Sequence, residues 1–314
     1  MHRLKIGRAV IAFMLMTLAY AGLLLWMDQG RGLLTGFDRL YSILPVLMLL
    51  SLVSYLVRYA RWYWLMARVE SRVPPVRGFV AYLTGFAFTA TPGKVGELLR
   101  IRYFQPMGVP PALVVSAFVY ERVIDLIVVL CIAAVAAAKF GLLKVVVAFA
   151  IFVLATVLIL AIFPDRLTQL ARYVERRQLP WLARYIDVFA RGFAHTTIWL
   201  KPLDLLVASM TGFAAWGITA YAFVFLLAHL GETVPTLLAF SIYPVAMLVG
   251  AASMLPGGIG STEAALIALL VGVGVSVATG TAAAIGIRIA TLWFATLVGL
   301  VSVWMLELGV QSKR

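Results

Sequence analysis

Long apolar runs alternate with short polar stretches along the whole chain, and six of these runs have the length of a membrane-spanning helix. A helix needs about 20 predominantly apolar residues to cross the hydrocarbon core of a bilayer. The pattern therefore predicts an all-α, polytopic protein whose residues 1–314 form a single integral membrane domain. The predicted full spans cover residues 7–27, 41–66, 112–138, 142–163, 204–230 and 277–306.

Two further apolar runs, over residues 78–105 and 236–273, are interrupted by proline and glycine. The first break reads Thr91-Pro92-Gly93-Lys94-Val95-Gly96-Glu97 and the second reads Leu255-Pro256-Gly257-Gly258-Ile259-Gly260, so both contain Pro-Gly-x-x-Gly. Irregular backbone at membrane depth is tolerated only where protein surrounds it or where it lines a watery cavity. We therefore predict two re-entrant helical hairpins, with two broken spans as the alternative. Paired interruptions of this kind point to the binding site of a transporter.

Composition agrees with a membrane protein. The chain is 63% hydrophobic with a mean hydropathy of +1.02, whereas soluble domains contain roughly 45–50% apolar residues. The first run, which begins at about Ile6, is long and lacks a small-residue cleavage site, so it is interpreted as an uncleaved span rather than a signal peptide.

The net charge of +13 is interpreted as a topology signal rather than as a nucleic-acid surface, because most Lys and Arg residues flank the apolar runs. If both broken runs are re-entrant, the positive-inside rule places both termini in the cytoplasm, and we expect the cell's inner membrane as the location. Three spans then separate the two broken runs, which would make them an inverted repeat suited to alternating access. The expected cytoplasmic cations are Arg3, Lys5, Arg8, the cluster from Arg58 to Arg77, the loop from Arg166 to Lys201, Lys313 and Arg314.

Two features are predicted to lie at the membrane interface. Residues 164–202 carry apolar and basic side chains at helical spacing, which predicts a cytoplasmic, basic amphipathic segment on the inner membrane face. A second group is predicted to form an interfacial belt in which aromatic side chains and snorkelling arginines fix the depth of a helix. Its members are Arg58, Arg61, Trp62, Tyr63 and Trp64.

Charged residues inside the third predicted span form the clearest polar anomaly. Glu121 and Asp125 are four residues apart and share one helix face, with Arg122 about 100° around the helix. A charge at the bilayer centre costs roughly 2.5–3.5 kcal/mol even on an insertion scale, so such residues usually face a cavity or a partner. Arg288, inside the last span, is the predicted countercharge. A translocation role and an ion-pair network that fixes helix packing both remain open.

The breaks themselves have two interpretations. Their glycines can let backbone N–H groups converge on an anion, and a half-helix after each break would point its positive end at the same place. Lys94, Arg100 and Arg102 would add charge to the first site, and a phosphate head group would suit it. The alternative is that the glycines only permit a tight turn and that Glu97, Ser261, Thr262 and Glu263 cap helix starts.

No catalytic constellation or cofactor motif is recognisable. The single cysteine, Cys131, lies in an apolar run and the three histidines are scattered, so neither a disulfide nor a metal site is expected. Ser/His pairs, H-E-x-x-H and nucleotide-binding motifs are also lacking. We therefore expect no cofactor, no nucleic-acid partner and no enzymatic activity.

Three motifs in this order resemble the lysylphosphatidylglycerol synthase transmembrane family, also described as flippase-like proteins. They are the first break with Arg100, then Glu121-Arg122-x-x-Asp125, then Pro256-Gly257-Gly258-Ile259-Gly260-Ser261-Thr262-Glu263. The resemblance covers nearly the whole chain and implies a multi-pass protein that moves lipids between leaflets. Synthase members add a soluble aminoacyl-transferase domain, whereas this chain stops at Arg314, so lipid aminoacylation is not expected.

The leading expectation is a lipid flippase or transporter whose cargo is an anionic lipid, or a polyprenyl or hopanoid-type lipid as other family branches imply. Two alternatives stay open: an intramembrane enzyme for lipid-linked glycosyl or phosphoryl transfer, and a scaffold that recruits a lipid-synthesis enzyme. The expected partners are membrane lipids. The residues predicted to bind or conduct the cargo are Pro92, Gly93, Lys94, Gly96, Glu97, Arg100, Glu121, Arg122, Asp125, Pro256, Gly257, Gly258, Gly260, Ser261, Thr262, Glu263 and Arg288.

Overall fold

The computed structural model of the chain describes residues 37–176, 186–187, 190, 192 and 196–311, together with residue 22. Throughout these residues the regular secondary structure is helical, which confirms the all-α prediction. The first predicted span, over residues 7–27, lies outside the described residues apart from residue 22.

Eleven α-helices of very different lengths make up the described structure. Proline stands first in α2, α4, α6 and α7, where its missing N–H costs no helical hydrogen bond. A π-helical turn, Ile289–Trp293, joins α10 to α11. The α-helices are α1 (Phe37–Ala67), α2 (Pro75–Leu83), α3 (Ile101–Phe104), α4 (Pro111–Lys139), α5 (Leu143–Ile162), α6 (Pro164–Arg176), α7 (Pro202–His229), α8 (Thr236–Ala252), α9 (Ser261–Val271), α10 (Val277–Arg288) and α11 (Phe294–Gln311). The 3₁₀-helices are Thr84–Phe88, Pro92–Arg100, Gln105–Met107, Thr196–Trp199 and Pro256–Gly258.

Three stretches among the described residues are long and apolar enough to cross a membrane. They are Leu40–Ala67, Pro202–His229 and Val277–Leu308. The predicted spans 112–138 and 142–163 are helices, α4 and α5, but α4 carries Glu121, Arg122 and Asp125 near its middle. Six full spans are therefore not confirmed, and the re-entrant hairpins and inverted repeat stay predictions.

The two breaks differ in local structure. The second break lies between α8 and α9, two α-helices that pack against each other. Its backbone turns at Gly257 (φ 63°) and Gly260 (φ 85°). These φ values lie in the left-handed region, which favours glycine. The first break continues instead into the 3₁₀-helix Pro92–Arg100 and the four-residue α3. A helical segment thus follows each break, as predicted, but it is mostly 3₁₀ after the first break and α-helical after the second.

Close helix packing fixes the elements on either side of the two breaks. Helix α7 packs along α1, while α8 packs against α4, α7 and α9. Helix α11 lies on the 3₁₀-helix Thr84–Phe88, so tightly that a Cβ atom at Gly299 would stand 2.1 Å from the backbone nitrogen of Ala87. The segment before the first break is therefore fixed by the last helix of the chain.

The predicted amphipathic segment 164–202 is described only in part. Helix α6 exposes Leu170 and Tyr173 and buries Ala171. Most of residues 177–195 lie outside the described residues, so the cytoplasmic placement of this segment stays a prediction.

Candidate functional site

The two breaks meet and enclose part of one cavity. A Cβ atom at Gly257, in the second break, would stand 3.3 Å from the Cα of Ala90, which immediately precedes the first break. The cavity has a volume of about 180 Å³, far above the roughly 10–15 Å³ that one water molecule requires. Its charged lining residues are Arg58, Lys94, Glu97, Arg122 and Arg288, and its polar or aromatic ones include Ser51, Ser54, Tyr55, Thr89, Thr91, Trp216, Thr219, Tyr243, Thr262 and Thr291.

Asp125, on α4, is the centre of a buried charge cluster behind this cavity. Its carboxylate accepts hydrogen bonds from Arg58 Nη1 at 2.9 Å and from Arg61 Nη1 at 2.8 Å. The guanidinium of Arg122 lies 3.2 Å away. Charge-assisted bonds of this length are stronger than neutral ones, so one carboxylate fixes three arginines.

Glu121 lies one turn earlier on the same face of α4 and is fully buried. It accepts from Arg61 Nε and from Arg100 Nη2, each at 3.4 Å. Arg61 reaches this face across α7 because Gly212 leaves room there: a Cβ atom at 212 would stand 3.3 Å from Arg61 Nη1. Glu121 on α4 is thereby linked to α1 through Arg61 and to the 3₁₀-helix Pro92–Arg100 through Arg100.

Glu97 joins the first break to the cavity. Its Oε1 accepts from Thr89 Oγ1 at 3.1 Å, and its Oε2 lies 4.0 Å from Arg122 Nη2, too far for a hydrogen bond. Glu97 therefore does not cap a helix, and it pairs with Arg122 only loosely.

Glu263 and Arg288 form a second, separate pair that fixes the second break. Arg288 Nε donates to Glu263 Oε1 at 2.8 Å, and Arg288 Nη2 donates to the carbonyl oxygen of Gly257. Glu263 Oε2 also accepts from the backbone N–H of Gly260 at 2.8 Å, so the predicted capping role holds for this residue. Ser261 donates to the carbonyl of Gly258 at 3.1 Å.

The predicted partner of Glu121 and Asp125 is therefore wrong. Arg288 pairs with Glu263, and the carboxylates of α4 are neutralised by Arg58, Arg61, Arg100 and Arg122. Arg102, expected at the first break, pairs instead with Glu307 at 2.7 Å near the surface.

The predicted interfacial belt is also wrong for three of its five members. Arg61 and Trp62 are 1% and 0% exposed, and the side chain of Arg58 is 11% exposed. Arg58 and Arg61 are three residues apart and so share a helix face, which is turned towards α4. The presence of two arginines within an apolar span is the sequence signal for this buried placement, because charged residues there usually face a partner or a cavity.

The backbone amides of the breaks are largely occupied by the protein itself. Lys94 N–H donates to the carbonyl of Thr91 at 2.9 Å, and Gly96 N–H donates to Thr91 Oγ1 at 2.7 Å. In the second break the N–H groups of Gly258, Ile259 and Gly260 likewise have acceptors. An anion in the cavity would consequently be held by side chains rather than by these amides.

Lys94 is the charged side chain best placed to meet a ligand. It lines the cavity half-buried, and none of the described residues accepts a hydrogen bond from it or forms a salt bridge with it. Its backbone has φ 55°, as does that of Met254, which also lines the cavity. Non-glycine residues held in this strained region concentrate at functional sites.

The cavity and its surroundings carry an excess of positive charge. Four cations line the cavity against one carboxylate, that of Glu97. Including the residues directly behind it, the described cluster holds six cations (Arg58, Arg61, Lys94, Arg100, Arg122 and Arg288) and four carboxylates (Glu97, Glu121, Asp125 and Glu263). The arrangement is complementary to an anion.

The structure thus brings together some of the predicted residues and places others elsewhere. Lys94, Glu97, Arg122, Gly257, Gly258, Thr262 and Arg288 line the cavity. Arg100, Glu121, Asp125, Gly260, Ser261 and Glu263 support its walls, Gly96 packs against Phe88, and Pro92 and Gly93 start a 3₁₀-helix. Four lining residues are not predicted from the sequence. Arg58 is predicted at the membrane interface instead. Trp216, Thr219 and Tyr243 carry no signal that separates them from ordinary residues of apolar helices.

Long apolar helices around a positively charged cavity define this chain as a helical membrane protein with a polar site. Residues 7–299 match the family model described as the lysylphosphatidylglycerol synthase TM region, and the chain belongs to that family. Neither the curated proteins nor the solved structures searched contained a match. The family relates the protein to membrane lipids, which is consistent with a cavity at the meeting point of the two breaks.

Proposed function

We propose that this protein moves an anionic lipid between the leaflets of the cell's inner membrane, with both of its termini in the cytoplasm. The observation that carries the proposal is the cavity between the two breaks, where four cations face one carboxylate and the side chain of Lys94 forms no hydrogen bond or salt bridge with a described residue.

Electrostatics supports an anionic head group as the cargo. Uncompensated charge is costly inside a membrane protein, and burying an ion without a partner costs several kcal/mol. A phosphate entering the cavity would bring the negative charge that the described cluster lacks. It would lie close to Arg58, Lys94 and Arg122 while those arginines keep their bonds to Asp125.

The arrangement of the breaks supports translocation. Both breaks contribute to one cavity, so a head group leaving one break would meet residues of the other without crossing apolar protein. Its acyl chains would remain in the lipid, because Met254 and Leu255 at the cavity edge are exposed apolar side chains. The charged residues behind the cavity would hold the surrounding helices in place and would not move with the lipid head group.

We propose transport rather than catalysis as the activity. Three of the four carboxylates of the cluster, those of Glu121, Asp125 and Glu263, are bound to arginines, which suits positioning better than proton transfer to a substrate. Turnover of a polyprenyl-phosphate donor by the purified protein would contradict this part of the proposal.

Reconstituted vesicles provide the test of the transport proposal. The purified protein is incorporated into phosphatidylcholine vesicles that contain phosphatidylglycerol or phosphatidylethanolamine carrying a fluorophore on an acyl chain. A membrane-impermeant quencher then reports the fraction of labelled lipid that reaches the outer leaflet. We expect rapid movement of phosphatidylglycerol and much slower movement of phosphatidylethanolamine. Movement of neither lipid above that in protein-free vesicles would contradict the proposal.

A further inference from the structure

Glu97 is the least securely bound carboxylate of the charge cluster. Its Oε1 accepts one hydrogen bond, from the uncharged hydroxyl group of Thr89 at 3.1 Å. Its Oε2 is buried and has no hydrogen-bond partner among the described residues. The guanidinium of Arg122 lies 4.0 Å from Oε2. Buried polar groups nearly always have a partner, and each exception calls for an explanation.

The other three carboxylates of the cluster are each bonded to an arginine. These bonds join Asp125 to Arg61, Glu121 to Arg61 and Arg100, and Glu263 to Arg288. These three carboxylates lie behind the cavity wall, whereas Glu97 belongs to the residues that line the cavity. The carboxylate with the weakest bonding is therefore the one at the candidate anion site.

The cations around Glu97 are the ones proposed to bind the phosphate. Lys94 lies three residues earlier in the 3₁₀-helix Pro92–Arg100, and it lines the cavity as Glu97 does. Arg122 also lines the cavity, and its side chain is 24% exposed although it is paired with Asp125. Among the neighbouring charges, those of Arg122 and Lys94 act most strongly on the Glu97 carboxylate. A phosphate in the cavity would therefore be attracted by the same two cations.

We propose that Glu97 competes electrostatically with the lipid phosphate for Arg122 and Lys94, and so keeps the binding weak enough for release. The inference rests on the proposed function and names the residue that sets the affinity of its site. A conducting site must bind its cargo strongly enough to admit it and weakly enough to let it leave. Because its one described hydrogen-bond donor is a neutral hydroxyl group, Glu97 is not neutralised by a bonded arginine, and its charge acts on the cations of the cavity.

The first experiment measures the binding of inorganic phosphate to the detergent-purified, full-length protein by isothermal titration calorimetry. Glu97→Gln keeps the size of the side chain and removes its charge. We expect the dissociation constant for phosphate to fall about tenfold, because a like charge beside the two cations no longer opposes the anion. Glu97→Asp keeps the charge and should bind phosphate as the wild type does. Glu307→Gln, which removes a carboxylate from the partly exposed pair with Arg102, should also leave the binding unchanged.

The second experiment measures the movement of labelled phosphatidylglycerol in reconstituted vesicles. At a lipid content that saturates the wild-type protein, Glu97→Gln should move the lipid more slowly, because a gain in affinity appears mostly as slower dissociation. Tighter binding combined with slower movement distinguishes competition from a purely structural role. A structural role would misplace Arg122 when Glu97 is changed, and both the binding and the movement would then weaken.

Thr89→Val tests the same inference with every charge kept, and it decides the matter should Glu97→Gln fail to fold. Without the hydroxyl group, the Glu97 carboxylate is free to close the 4.0 Å gap to Arg122. We expect the dissociation constant for phosphate to rise about threefold to tenfold, the effect of one added hydrogen bond that competes with the anion. Thr296→Val is the matched control, because Thr296 is a buried threonine outside the cavity.

The outcomes separate this inference from the proposed function. Phosphate binding that is unchanged or weaker in Glu97→Gln, or unchanged or tighter in Thr89→Val, would overturn the role of Glu97, and lipid movement by the wild type would still stand. Absence of phosphate binding to both the wild type and Glu97→Gln would overturn that role as well. Tighter phosphate binding by Glu97→Gln, with no lipid movement by any variant or by the wild type, would overturn the transport proposal and leave Glu97 as the residue that sets anion affinity.

Discussion

Asp125 shows how a single residue organises the polar interior of this protein. Its carboxylate bonds to Arg58 and Arg61 and lies within 3.2 Å of Arg122, although its side chain is only 6% exposed. A buried carboxylate is costly in itself, but removing one partner of a buried pair is costlier still, because the remaining charge is left uncompensated. Here three arginines depend on the same two oxygen atoms.

Replacing Asp125 by Asn should therefore destabilise the protein strongly. The side chain keeps its size and one acceptor oxygen but loses the charge, and we expect the free energy of unfolding to fall by about 3–5 kcal/mol. Denaturant unfolding of the detergent-purified protein measures the change. Glu307→Gln is the control, because its pair with Arg102 is partly exposed and should contribute no more than about 1 kcal/mol. Equal effects of the two substitutions would contradict a structural role for Asp125.

At the scale of elements, the fold depends on the close approach of α11 to the 3₁₀-helix Thr84–Phe88. Gly299 has no side chain, and a Cβ atom there would meet the backbone of Phe86 and Ala87 at 2.1–2.7 Å. Backbone atoms cannot move aside as the end of a flexible side chain can. The last helix of the chain therefore sets the position of the segment that leads into the first break.

Gly299→Ala should destabilise the protein, whereas the same substitution at Gly217 should not. Overpacking of this kind typically costs about 1–3 kcal/mol. Gly217, inside α7, has space, since its nearest neighbour would be Phe240 Cζ at 3.8 Å. Alanine there should raise helix stability by up to about 1 kcal/mol. Thermal unfolding of both variants gives the comparison, and a Gly299→Ala protein as stable as the wild type would show that α11 can shift.

The sequence predicts several of these elements and misses others for physical reasons. The shared Pro-Gly-x-x-Gly pattern locates both breaks, and the i, i+4 spacing places Glu121 and Asp125 on one face. The 3₁₀ conformation of Pro92–Arg100 is not visible in a pattern of polar and apolar residues. The partners of the carboxylates are missed because sequence gives the face of a helix but not the neighbour that this face meets, so the sequence-based prediction assigns Arg288 to the wrong carboxylates.

At the scale of the whole molecule, the described part of the chain combines three apolar spans with a polar centre built from both breaks. Family membership and hydropathy together make it a membrane protein. The charged residues of α4 lower its hydropathy, which keeps this helix out of the three stretches that are apolar enough to cross a membrane. The meeting of the breaks could not be predicted, because sequence similarity between two segments does not show that they touch.

The central claim is that the excess positive charge of the cavity binds an anionic lipid, and Lys94 tests it most directly. Lys94→Met removes a charge that forms no hydrogen bond or salt bridge with a described residue, and the Glu97 carboxylate keeps its bond from Thr89. Lys144→Met, at an exposed position, changes the net charge equally and is the control.

The measurement is the rate at which labelled phosphatidylglycerol changes leaflet in reconstituted vesicles. We predict that Lys94→Met lowers this rate about tenfold or more, since a hydrogen bond to a charged group contributes about 1.5–3 kcal/mol, while its unfolding free energy and the rate for Lys144→Met stay close to wild type. Equal rates for wild type, Lys94→Met and Lys144→Met would contradict the claim that this cavity carries the lipid head group.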